Sequence, residues 1–163
     1  IDNSAAANLA AVGAVAGTTN TFTTTVASVA AIRGKFTTAL AVLTNSATTP
    51  TTDANTAAAF PAILPNTAAA VVFGINAAGT LKAAQGAVTP TETGVTTTVG
   101  AFILAPQFPV LPDDFVPIAY TIVRAAPSLT AGFTLGTTSW AASGASCTTF
   151  KNIATLPDRP QIA

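Results

Sequence analysis

The chain has 163 residues with six basic and six acidic side chains, so its net charge is zero and only 7% of it is charged, against roughly 25% in ordinary domains. No basic face is available for nucleic acid. With no His and one Cys, Ser-His-Asp and Cys-His catalysis and His/Cys zinc sites are excluded.

Half the residues are apolar, yet 37 are Ala, against 9 Phe, 9 Ile, 10 Leu and 13 Val; 30 more are Thr. Ala removes little area from water, at about 25 cal/mol per Å². A chain of this kind either packs closely with small side chains or completes its core with neighbouring subunits, and the second is the expectation. Few charges and no net charge also favour association.

In chain order, residues 4–16 (SAAANLAAVGAVA) suit either a short helix or an extended arm. In the helix, Ser4 is the N-cap, Leu9, Val12 and Ala16 form the apolar side, and Gly17 is the stop. The run is too short and too weakly hydrophobic to span a bilayer, so no membrane partner is expected. From Asn20 the vocabulary turns to Thr and β-branched residues. Residues 21–29 and 32–43 alternate as strands, and Gly34 marks a bulge or close approach.

Residues 44–56 (TNSATTPTTDANT) form a polar linker or loop. Residues 67–76 (TAAAVVFGIN) are apolar on both faces, which predicts a central strand. Asn76-Ala77-Ala78-Gly79 turns it into a return strand from Thr80. Short strands are expected at 95–99, 132–136 and 146–153, with a Pro-rich connector (PQFPVLP, 106–112) between the first two. The longest strand signal is 115–124 (FVPIAYTIVR), where Pro117 marks an edge or a strand entrance. These features predict an all-β antiparallel sandwich or barrel-like domain over 32–163. Residues 1–31 are read as an Ala-rich N-terminal arm or short helix plus a first strand.

The candidate chemistry is sparse. Asp113-Asp114 is the one adjacent acidic pair. Paired carboxylates suit calcium or glycoside hydrolysis, but strand neighbours point to opposite faces, which favours a solvated turn after Pro112. Trp140, in the polar run TTSWAAS, is read as an interface or core anchor ahead of a sugar platform. Cys147 is read as a small buried residue rather than a reactive thiol. Arg124 and Arg159 are potential ion-pair partners for Asp113, Asp114 or Asp158. No catalytic residue, metal site or cofactor is assigned. The candidate interface residues are Leu9, Val12, Phe133, Trp140 and Arg159.

The segments VPIAYTIVRA, FTLGTTSWAASG, CTTFKNI and LPDRP, with the upstream VVFGINAAGTLKAAQG, resemble a β-module of structural proteins of tailed bacteriophages. The resemblance covers about half the chain and leaves residues 1–31 outside. It implies a virion component, such as a capsid decoration (cement) protein, a head fibre or a tail-associated subunit. It supplies no functional residues. The resulting expectation is a non-enzymatic homo-oligomer, a trimer, that binds the major capsid protein or another virion protein. Residues 4–31 and 156–163 would be its contact arms. The alternatives are a receptor- or glycan-binding adhesin working through Trp140, and a subunit of an extracellular bacterial filament or surface layer. An enzyme using Asp113 ranks behind both.

Overall fold

Two runs of residues with no polar face, TAAAVVFGIN and FVPIAYTIVRA, pair with each other at the centre of the molecule. In the computed structural model the described residues are 50–76, 78, 80–147, 150–153, 157 and 160, together with the backbone of the strands between 4 and 48. Side chains of residues 1–49 and of Asn152 lie outside that description. Every regular element is a strand, so the described part of the chain is all-β, and its strand pairs are antiparallel.

The strands of the first 48 residues are β1 (Ser4–Ala6), β2 (Leu9–Val15), β3 (Thr19–Thr24), β4 (Ser28–Ile32), β5 (Lys35–Leu40) and β6 (Ala47–Thr48). They form two three-stranded sheets, β1-β4-β5 and β2-β3-β6. The helical option for residues 4–16 is therefore not taken. Ala has the best intrinsic helix propensity, but propensity is a weak prior, and here the backbone pairs with β4 and β3 instead. The β4–β5 hairpin spans the expected boundary at residue 31.

The main sheet contains β7 (Thr67–Asn76), β8 (Leu81–Gln85), β9 (Thr89–Pro90), β10 (Phe115–Ala125), β11 (Ala145–Cys147) and β12 (Lys151–Asn152). Its order is β11-β10-β7-β8, with β12 also on β10 and β9 also on β7. The expected hairpin at Asn76 is present. Asn76 Oδ1 accepts the N–H of Ala78 and of Thr80, which closes the turn. The expected single strand over 146–153 is instead two short ones. At 132–136 there is only a bridge between Phe133 and Ile63, and at 95–99 a tight hairpin tip, Val95 against Thr98.

β7 and β10 run antiparallel from Thr67 opposite Ala125 to Asn76 opposite Phe115, with a register shift between Pro117 and Ala119. Pro has no N–H to give a ladder. The extra residue, Ile118, absorbs the break, and β12 joins β10 only from Ala119 onward. Pro117 thus sits near the strand entrance, as its chemistry requires.

Both faces of this sheet are covered. On one, Ala69, Val71, Phe73, Ile75, Val116 and Val123 lie beneath Phe60, Ile63, Phe133 and Leu135. On the other, Val72, Phe115 and Tyr120 lie beneath Phe108, Leu111 and Ile153. The core of the described residues is closed in part by the fully buried Ala68, Ala69, Ala70, Ala83, Ala84 and Ala119. Small residues let neighbouring backbone approach, as at Gly86, where a Cβ would strike the Gln107 carbonyl.

Candidate functional site

Phe133, Trp140 and Phe150 gather on Phe73. Ring centroids lie 5.2 Å apart for Phe133–Trp140, 5.4 Å for Trp140–Phe150 and 5.3 Å for Phe73–Phe150. These spacings and tilts are those of favourable aromatic pairs. Phe133 is fully buried, so the structure places it in the core and not at a surface. Its backbone exchanges two hydrogen bonds with Ile63, N–H to carbonyl in both directions, at 2.8 and 2.9 Å. Trp140 is half-buried in the same cluster, and its Nε1 is buried without a hydrogen-bond partner. Its ring packs against the core from the side. Leu9 and Val12 lie on β2, opposite Thr24 and Thr21; their side chains, and Arg159, lie outside the described residues. Of the 156–163 arm only Pro157 and Pro160 are described.

Asp113 and Asp114 occupy a turn closed by the Phe115 N–H on the Pro112 carbonyl at 3.0 Å, which is the turn expected there. Asp114 shares a cleft of about 130 Å³ with Thr52, Asp53, Asn76 and Lys82. Asp53 is buried, and both of its oxygens serve the fold. Oδ1 accepts the N–H of Asn55 at 2.8 Å and of Thr56 at 3.1 Å, and Oδ2 accepts the Gln85 N–H at 2.8 Å. It pins the 52–57 turn to the edge of β8, where Ala54 N–H also reaches the Ala83 carbonyl. The sequence reading missed Asp53. The available signal was Asp followed by Asn and Thr two and three residues on, the spacing of a side chain that caps its own turn.

Arg124 does not meet Asp113 or Asp114. Its Nη1 donates to the Gly100 carbonyl at 3.2 Å, its guanidinium carbon lies 4.8 Å from the Phe102 ring centre, and its Nε is buried without a partner. Cys147 packs on the core opposite Val123, and burial pushes its thiol up to about 12. A thiol that holds its proton at neutral pH is a poor nucleophile. Among the described residues no three His, Cys, Asp or Glu side chains converge to hold a metal ion, and no helix is long and apolar enough to cross a membrane.

The segment 86–112 is different in kind. Thr91 bridges Phe102, Glu92 N–H reaches the Ala101 carbonyl, and Val95 and Thr98 close the tip of a hairpin. Thr96 at that tip has φ 51°, unusual for a β-branched residue, and its carbonyl accepts the Ser128 N–H at 2.9 Å. The chain then runs back over the sheet as a strap, with Phe108 edge-on to Tyr120 at 4.9 Å. Hairpin and strap also carry large apolar side chains that face solvent: Val95 is 74% exposed, Ile103 58%, Leu104 59% and Val110 77%. Compared with protein-family models, with curated proteins and with solved structures, the chain matches none.

Proposed function

We propose that the chain is a structural subunit of a bacteriophage particle. In this reading it assembles with copies of itself, as a trimer, into a capsid decoration or head-fibre protein on the major capsid protein or another virion protein. The observation that carries the assembly reading is a firmly packed sheet whose covering segment turns large apolar side chains outward, in a chain with almost no charge. Exposed apolar clusters of this kind are the usual mark of a contact surface. The virion setting rests on the resemblance of VVFGINAAGTLKAAQG, VPIAYTIVRA and FTLGTTSWAASG to phage structural modules. The work of such a subunit is binding and not turnover, and nothing in the proposed role calls on a cofactor. The finer architecture belongs to the same proposal: a sandwich in which the β1-β4-β5 sheet closes on the main sheet, supported by the close passage of β1 and β4 past β10.

The adhesin alternative needed an exposed Trp140 to stack on a sugar. The ring packs among Phe73, Phe133 and Phe150 and is half-buried, which favours the assembly reading over it. The filament or surface-layer alternative shares the assembly chemistry and differs in location. Sedimentation of intact particles from an infected culture separates them. The protein should co-sediment in a fixed ratio to the shell subunit; recovery from cell-surface fibres of phage-free cells would refute the virion setting.

A further inference from the structure

We propose that the outer side of the 88–110 hairpin and strap is the surface on which a second copy of this chain docks; this rests on the self-assembling reading above. Among the described residues, five of the six large apolar side chains that face solvent lie between Val88 and Val110: Val88, Val95, Ile103, Leu104 and Val110. Single exposed hydrophobics are ordinary, but five of them on one hairpin and strap are not. The sixth, Leu64, belongs to the same region. Asn66, two residues on, accepts the Thr91 N–H on its carbonyl at 2.9 Å and the Gly94 N–H on its side chain at 2.9 Å.

Among the described residues these side chains have no place in the interior. The inward positions of the segment are already taken by Phe102 against Arg124 and by Phe108 and Leu111 over Tyr120. Beneath them the sheet face is filled, with Ala68, Ala70, Val72 and Ile122 fully buried. Turning Ile103 or Val110 inward would require expelling a neighbour. The cluster therefore stays wet unless something else covers it.

Area and charge select the occupant. Together the six residues expose on the order of 600 Å², an area on the scale of the roughly 800 Å² that each partner of a stable interface buries. Between Ala83 and Pro112 the one charged residue is Glu92. Such a surface has no means of steering a charged partner, and it meets an identical surface without repulsion. In the trimer proposed above, the patches of neighbouring copies meet head to tail around the threefold axis and close as a ring, and the chain's net charge of zero favours association further.

The test is sedimentation equilibrium of the full chain over a range of concentrations, for the wild type and for Ile103→Asp/Leu104→Asp. Both side chains are more than half exposed, so the fold should hold, checked by an unchanged thermal midpoint. A separate Val110→Asp variant guards against local unfolding of the 103–104 bend. The wild type should self-associate with little dependence on salt, and each variant should weaken that association at least 100-fold. A wild type that stays monomeric, or folded variants that associate as the wild type does, would overturn the proposal. Particle sedimentation of the same proteins separates the two claims. Co-sedimentation of variants that associate normally sinks this surface alone. Salt-independent association of a protein absent from particles sinks the virion setting alone.

Discussion

The two faces of the main sheet are built from the same two strands, yet they are closed by different means. The Phe73 face is covered by segments tied to each other through backbone, as in the paired Ile63–Phe133 bonds, and its aromatic rings interlock around Trp140. The Tyr120 face is covered by a strap held through side chains. Among the described residues no backbone hydrogen bond secures Ile103–Leu111, and the contacts are Phe108, Leu111 and Ile153 on Tyr120 and Val72. One face is therefore a core, while the other is a core with a thin cover. Few backbone bonds and few buried contacts mark regions that open at low cost. That is also where the outward apolar side chains lie.

The largest effect should come from the first face. Phe133→Ala removes a fully buried ring from among Trp140, Ile63 and Leu135, and should cost about 3–5 kcal/mol in urea unfolding. A cost below about 1 kcal/mol would mean that this face is not the more tightly packed of the two. Next comes the carboxylate at the sheet edge. Asp53→Ala leaves the N–H groups of Asn55, Thr56 and Gln85 without their acceptor, for about 2–3 kcal/mol. Asp53→Asn keeps one carbonyl oxygen and should lose less. Because Ala54 belongs to the Tyr120 cluster and Phe60 and Ile63 to the other, hydrogen exchange in Asp53→Ala should rise on both faces.

Much of this arrangement was legible in the residues, and the parts that were not share a cause. β7 and β10 are apolar on both faces over ten and eleven residues, a pattern that suits a central strand. The hairpin at Asn76 carries its own turn chemistry. The Ala-rich start was ambiguous because Ala fits helix and strand alike, and the choice was made by pairing with β3 and β4. For Trp140 the residues left interface and core open, because its sequence neighbours are polar, whereas its spatial neighbours Phe73, Phe133 and Phe150 are distant in sequence or across a turn. Along the strap, sequence cannot tell Phe108 from Val110. The sheet beneath decides which of them finds room.

A smaller loss is expected from the strap itself. Phe108→Ala removes an edge-to-face pair with Tyr120, but the ring is only half-buried, so the cost should be about 1–2 kcal/mol. Its signature is local: faster amide exchange in the Tyr120 region at unchanged protection of the Phe73 region. Equal exposure of both faces would show that they unfold as one unit and would dissolve the distinction drawn between them.

At neutral pH the smallest effect belongs to Cys147, and it probes the first face without disturbing it. Its thiol is pushed from about 9 to about 12 by burial. Between those values the unfolded chain has released a proton that the folded chain still holds, so the unfolded state binds fewer protons and stability falls as pH rises. The contribution is fully present below pH 9 and lost through pH 12. Cys147→Ala removes that dependence, and subtracting its stability profile from the wild type's isolates this thiol from every other group that titrates in alkali. At pH 8 iodoacetamide should modify the folded protein far more slowly than the urea-unfolded chain. Rapid alkylation of folded protein would place Cys147 in water and open the Phe73 face at β11, the edge where the structure has it closed.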